Sequence, residues 1–196
     1  YLGIGEEYII TLNSLESLQE PIVFISGKKA VVQGEAKNWT AKMTITGEHL
    51  EGKIKYSIEY KDIAGNSGLT FENNEDDQFD VIDVSGPIAS IKTLKSEWNY
   101  QEEKSNLLLK ISANDNHSGI SGWYVGSQKE IPNTSHTPWE SLTTTNQFND
   151  NLSVGIDSNF DEPGGLFIWF KDALGNVSEP YPIEIPDPVV NEIYAE

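Results

Sequence analysis

The side chains that most often carry out catalysis are few and scattered in this sequence. Its three histidines are His49, His117 and His136, and each lies in a predicted turn or loop. The sequence has no His-x-x-x-His pair, no Gly-x-Ser-x-Gly elbow and no glycine-rich loop leading into a helix. Acidic residues are numerous, but nothing in their spacing marks one pair as a catalytic acid and base. We therefore expect a protein that is not an enzyme and binds no nucleotide.

The strongest pattern is a segment that occurs twice, with an offset of 110 residues (172 − 62). Residues 56–67 and residues 166–177 each read as a strand that runs into a tight turn with the pattern Lys-Asp-x-x-Gly-Asn. The turn residues of the two copies are Asp62, Gly65, Asn66, Asp172, Gly175 and Asn176. Glycine followed by asparagine suits the positive φ angles of such a turn. Two equivalent structural turns are therefore predicted.

Hydrophobic residues alternate with polar ones in the strand before the first turn. Ile54, Tyr56, Ile58 and Tyr60 occupy every second position, so all four side chains lie on one face of a sheet. The second copy keeps the same face with Leu166, Ile168 and Phe170.

The aspartate of each turn comes at the next inward position, where an unpaired carboxylate is costly. A local solution is available, because the carboxylate can accept hydrogen bonds from backbone N–H groups of the turn that it begins. We interpret Asp62 and Asp172 as structural residues of this kind. The alternative is that they are metal ligands.

Three short motifs resemble those of the bacterial Ig-like repeats found in large surface proteins and adhesins. The Lys-Asp-x-x-Gly-Asn turn resembles the last hairpin of such repeats. Residues 83–88, Asp-Val-Ser-Gly-Pro-Ile, resemble the joint that links repeats in tandem, and residues 115–120, Asp-Asn-His-Ser-Gly-Ile, resemble a motif found early in one subclass. The resemblance implies extracellular β-sandwiches that serve as spacers or adhesive modules, and it implies no reaction.

The repeat divides the chain into two all-β, Ig-like sandwiches, residues 1–84 and 85–187, followed by a linker at 188–196. Each segment has the usual length of an Ig-type domain. The predicted strands of the first domain lie near residues 8–12, 21–27, 29–33, 39–46, 56–61 and 68–71. Those of the second lie near 88–91, 105–113, 123–125, 148–156, 166–172 and 181–185, with a long loop at 132–145. No stretch has a sustained helical period.

The charge of the chain limits its partners. The formal net charge is −18, and there is no arginine among the 196 residues. Nucleic acids and anionic membranes are disfavoured, because both are bound through clusters of lysine and arginine. No run of residues approaches the length of a membrane span. The expected partners are adjacent domains of a longer parent protein and a protein or glycan of a host or other cell surface.

An acidic segment precedes the predicted joint. Its residues that could bind a metal are Asn74, Glu75, Asp76, Asp77 and Asp80. One interpretation is a solvated loop, and the other is a Ca²⁺ site between domains, since Ca²⁺ takes six to eight oxygen ligands. Apart from this ion, no cofactor is predicted.

Tryptophans are concentrated in the predicted second domain, which has four of the five in the chain. In the repeat, Phe167 and Trp169 align with Ser57 and Glu59, so they lie on the face away from the core. If exposed, they suit stacking against a sugar or a protein interface. The candidate binding residues are Trp98, Trp123, Trp139, Phe167 and Trp169. The alternative is that the loop at 132–145 folds over them.

The sequence thus favours a non-catalytic extracellular or cell-surface module that acts as a stalk or adhesion domain, cut from a longer secreted protein. The second hypothesis is a carbohydrate-binding accessory module that uses the aromatics of the second domain.

Overall fold

A computed structural model describes residues 1–73, 80–99, 104–135, 137–157 and 165–185 of the chain. All regular structure in these ranges is β-strand, and every pair of neighbouring strands is antiparallel, so the all-β prediction is confirmed. These ranges contain no helix with the length and hydrophobicity that a membrane crossing requires. The chain divides into two compact units, Tyr1–Val84 and Ser85–Glu196.

The first unit forms three small sheets. Its described strands are β1 (Glu7–Asn13), β2 (Ile22–Ile25), β3 (Lys28–Lys29), β4 (Val31–Glu35), β5 (Asn38–Thr44), β6 (Gly52–Lys53), β7 (Tyr56–Glu59), β8 (Phe71–Glu72) and β9 (Val81–Ile82). The strand orders are β1-β5-β4, β3-β2-β7-β8 and β6-β9. The short β6 and β9 were not predicted, since two residues are too few to show a period.

The core of the first unit draws on strands of all three sheets. It contains Val23 and Ile25 of β2 together with Ala41 and Met43 of β5. The alternating residues of the repeated strand face this core as predicted. Ile54 and Ile58 are buried in this core, and Tyr56 and Tyr60 are half-buried and pack against it.

The second unit is built from two longer sheets. Its described strands are β10 (Ile88–Asn99), β11 (Lys104–Asn114), β12 (Ile120–Gly126), β13 (Glu140–Thr145), β14 (Gln147–Asp157), β15 (Leu166–Asp172) and β16 (Tyr181–Ile183). The strand orders are β10-β11-β14 and β13-β12-β15-β16. One hydrophobic core takes side chains from both sheets, among them Leu107 and Leu109 of β11 and Ile168 and Phe170 of β15.

One prediction for the second unit was wrong in part. The predicted loop at 132–145 contains strand β13 over its last six residues, Glu140–Thr145. Only Leu142 in this strand packs against the core, and its other residues are polar, so the alternation that marks a half-buried strand is weak. Pairing with the edge of β12 places these residues in the sheet instead.

Candidate functional site

The turn of the first unit is held by the carboxylate of Asp62. Its Oδ1 accepts the backbone N–H of Asn66 at 2.8 Å, and its Oδ2 accepts the side-chain amide of Asn66 at 2.7 Å. The N–H of Gly65 donates to the carbonyl of Asp62 at 3.0 Å, and Gly65 has a φ of 92°. A residue with a Cβ is strained at that angle, which explains the glycine.

The turn of the second unit repeats this geometry at Asp172. Its Oδ1 accepts the backbone N–H groups of Leu174 at 2.9 Å and Asn176 at 2.8 Å, and Oδ2 accepts the Asn176 amide at 2.7 Å. Gly175 has a φ of 88°. The two turns differ in burial, because Asp62 is partly exposed whereas Asp172 is only 1% exposed.

The hydrogen bonds at Asp62 predict a pH dependence for the first unit. Donation from the side chain and backbone of Asn66 holds the pKa of Asp62 below its ordinary value. The folded state therefore binds this proton less readily than the unfolded state, and the stabilisation is complete above the unfolded pKa of about 4 and lost as the pH falls through the folded pKa. A carboxyl NMR titration should place the Asp62 midpoint below that of an unfolded peptide.

The matched comparison for this titration is the Asp62→Asn variant. The difference in stability between wild type and variant should be constant above about pH 5 and should shrink as the solution becomes more acidic. A difference that stays constant down to pH 2 would contradict the assignment.

A second carboxylate lies close to the turn of the second unit. Asp115 is the first residue after β11, and its Oδ1 accepts the backbone N–H groups of His117 and Gly119, each at 2.9 Å. The Gly119 carbonyl in turn accepts the N–H of Ala173 at 2.9 Å, which ties this loop to the Asp172 turn. Gly119 has a φ of 84°, and a Cβ there would lie 2.9 Å from the Thr144 side chain.

Asp115 and Asp172 form a pair of buried carboxylates. Asp115 is 6% exposed, and each residue has a carboxylate oxygen within 4.8 Å of an oxygen of the other. Two ionised carboxylates at that distance repel by on the order of 3 kcal/mol at an effective dielectric constant of about 20. A cation between them would convert this repulsion into attraction. Carboxylate oxygens are the ligands that Ca²⁺ prefers, so the donor chemistry fits this ion.

The sequence pattern did not predict that these two aspartates approach each other. A metal-ligand role was left open for Asp172 as the alternative to a structural one, but the predicted Ca²⁺ site was the acidic segment, and Asp115 was not among the predicted ligands. Of that set, Asn74, Glu75, Asp76 and Asp77 lie outside the described residues. Asp80 is exposed, and its carbonyl accepts the N–H of Ile54 at 2.9 Å.

The candidate binding aromatics of the second unit cluster on the outer face of β15. The rings of Phe167 and Trp169 are 5.8 Å apart, and Tyr124 of β12 lies 5.8 Å from Trp169. Trp139, from the segment before β13, lies 5.9 Å from Tyr124, and the ammonium group of Lys171 is 5.1 Å from the Trp139 ring.

Of the two alternatives for Phe167 and Trp169, exposure and burial, the structure shows burial. Phe167 is 9% exposed and Trp169 is 1% exposed, so neither offers a ring face to a sugar. Tyr124 packs on Trp169 and Trp139 packs on Tyr124, which matches the alternative in which the 132–145 segment folds over this face. Trp123 packs against the core half-buried, and the side chain of Trp98 lies outside the described residues.

The histidines that the structure describes occupy turns. His49 is 7% exposed, and its Nδ1 accepts the backbone N–H of Thr46 at 2.9 Å, while its Nε2 lies 3.3 Å from the sulfur of Met43. These contacts tie a turn to the core of the first unit. His117 lies in the Asp115 loop, and His136 is outside the described residues.

Comparison of the chain with protein-family models and with curated proteins finds no match.

Proposed function

We propose that this chain is a non-catalytic, extracellular tandem module of a bacterial surface protein and that each unit is an Ig-like sandwich. The observation that carries the proposal is the duplicated Asp-x-x-Gly-Asn turn. The turn has the same hydrogen bonds in both units, and each unit has its own hydrophobic core. A repeat of this kind suits a stalk or an adhesion domain, because each unit folds around its own interior and transmits force through its sheets.

The long antiparallel pairings of the second unit support a load-bearing role. Strands β10 and β11 pair from Ile88↔Asn114 to Asn99↔Lys104, and β11 pairs with β14 over eleven residues. The expected partners of the module are neighbouring domains of its parent protein and a surface protein or glycan of another cell.

Single-molecule force spectroscopy on the full chain tests the mechanical proposal. Two separate unfolding steps are expected, one of them lengthening the tether by about 300 Å, as 84 residues at roughly 3.6 Å each require. A single step that spans the whole chain would show that the two units are not independent load-bearing modules and would overturn the proposal.

We also propose that the second unit binds Ca²⁺ through Asp115 and Asp172. The supporting observation is the burial of two like charges within 4.8 Å of each other, on loops that share a backbone hydrogen bond. Bound Ca²⁺ would neutralise the pair and hold the Asp115 loop on the Asp172 turn. A ligand that binds only the folded state at 100 times its Kd stabilises that state by about 2.7 kcal/mol.

Thermal unfolding of the full chain in Ca²⁺ and in EGTA decides this second proposal. Tryptophan fluorescence reports mainly on the second unit, which has four of the five tryptophans. We expect Ca²⁺ to raise the melting temperature of wild type and of Asp62→Asn, but not of Asp115→Asn or Asp172→Asn. Equal melting temperatures of wild type in Ca²⁺ and EGTA would rule out the site.

A further inference from the structure

The first unit contains an open cleft of about 760 Å³ along the inner side of β1. The inward side chains of two strands line its walls, Ile10 and Leu12 from β1 and Tyr56 and Ile58 from β7, together with Tyr60 just after β7. This volume is within the range of ligand-binding sites, and the walls are mainly apolar and aromatic.

Among the described strands, β1 forms an edge of its sheet. It pairs with β5 in an unbroken register from Glu7↔Thr44 to Asn13↔Asn38, and the strand order β1-β5-β4 leaves its other side at the sheet margin. An edge strand presents backbone N–H and C=O groups to which another strand can pair. Natural edges are often blunted by lysine, proline or a bulge, and the sequence Glu-Tyr-Ile-Ile-Thr-Leu-Asn of β1 has none of them.

The core beneath β1 is incomplete. Its inward residues Tyr8, Ile10 and Leu12 are only half-buried. In the second unit the edge strand β14 buries two of its inward residues, Val154 and Ile156, which are 8% and 6% exposed. Its other inward residues Phe148 and Leu152 are half-buried. On β1, by contrast, the whole inward row is half-buried, and the cleft beside Ile10 and Leu12 has room for an additional row of side chains.

The cleft carries negative charge. Its charged lining residues are Glu16 and Asp62, and no lysine lines it. Two large apolar side chains at the cleft are exposed to solvent, Leu15 at 95% and Phe71 at 54%. An occupant that suits this surface combines apolar side chains with positive charge.

We propose that β1 and this cleft bind an extended segment of a partner polypeptide by β-strand addition. The partner segment pairs with the free edge of β1 through its backbone and inserts every second side chain, an apolar one, into the cleft. A lysine or arginine of the segment lies beside Glu16 or Asp62. The backbone pairing provides the affinity common to all such strands, and the cleft selects the apolar residues.

Hydrogen exchange and calorimetry on the full chain test this proposal with defined probes. The probes are blocked nine-residue peptides with lysine at both ends and threonine alternating with Val, Ile, Leu or Phe. One control peptide has proline at its centre, and another has glutamate in place of both lysines. We expect at least one probe to protect the amides of β1 and leave those of β14 unchanged, with at least tenfold weaker binding of both control peptides.

Two variants in β1 distinguish binding through the side chains that face the cleft from binding through the exposed face of the strand. Leu12→Lys places a charge in the cleft and should abolish binding, whereas Ile9→Lys, on the exposed face of the same strand and outside the cleft lining, should change the Kd by less than threefold at high salt. Circular dichroism establishes that each variant is folded. If Leu12→Lys does not fold, the exchange pattern of the wild-type chain still decides the matter.

Three outcomes would overturn the proposal. The first is unchanged exchange at β1 with every probe. The second is equal binding of the proline peptide, which would indicate an apolar pocket that does not select strands. The third is protection of β1 in the chain alone as its concentration rises, which would show that a second copy occupies this edge.

Discussion

Replacement of Phe170 by alanine is expected to destabilise the second unit by about 3–5 kcal/mol, the usual cost of removing a buried phenylalanine. The Phe170 side chain is 0% exposed, lies in the core shared by both sheets and meets the ring of Tyr181 edge-on at 6.3 Å. The loss of stability has two parts, the lost burial of the ring and the cavity that the ring leaves behind. The cavity cannot close easily, because β12 and β16 hold β15 in place on both sides.

Urea unfolding followed by tryptophan fluorescence measures this effect on the second unit, and the signal of Trp39 follows the first. We expect only the transition of the second unit to move to lower urea concentration. Leu174→Ala, two residues beyond the end of β15 and 37% exposed, is the matched control and should shift the midpoint little. Equal shifts of both transitions would contradict the independence of the two cores.

Replacement of Asp172 by alanine should cost much more stability than replacement of Asp62. The change at Asp172 removes the acceptor for two backbone N–H groups and one side-chain amide in a buried turn. A buried donor left without an acceptor costs about 1–3 kcal/mol. Three such donors outweigh the relief of the roughly 3 kcal/mol repulsion from Asp115, so a net loss on the order of 3 kcal/mol is expected. Water can replace the lost acceptor at the partly exposed Asp62, so the effect there should be small.

The comparison is made by urea unfolding in EGTA, so that no divalent cation contributes. Asp172→Asn serves as the conservative variant, because its amide oxygen in the place of Oδ1 can still accept both backbone N–H groups, and it should recover part of the stability lost in Asp172→Ala. Similar losses for Asp62→Ala and Asp172→Ala would show that the burial of Asp172 has no energetic consequence.

Local interactions explain why the turns and strands could be predicted from the sequence. The Asp-x-x-Gly-Asn turn contains its own donors and acceptors within five residues, so nothing distant is needed to specify it. The alternation of Ile54, Tyr56, Ile58 and Tyr60 determines a face because the side-chain period of a strand is two. A two-residue strand such as β9 has no period to read, and only its pairing with β6 defines it.

Contacts between distant segments determined the features that the sequence could not show. The outward positions of Phe167 and Trp169 could be read from the repeat, but their burial depends on Tyr124 and Trp139, which lie far away in sequence. The approach of Asp115 to Asp172 likewise depends on the hydrogen bond between Gly119 and Ala173.

By itself, then, the sequence determined that the chain is all-β and that its halves carry the same turn, because hydrogen bonds within a turn and the period of a strand are short-range properties. The tertiary structure alone decided that the Asp172 turn is buried beside a second carboxylate, while the cleft next to β1 stays open. Burial depends on which other strands pack against a residue, and two similar local sequences can meet different neighbours.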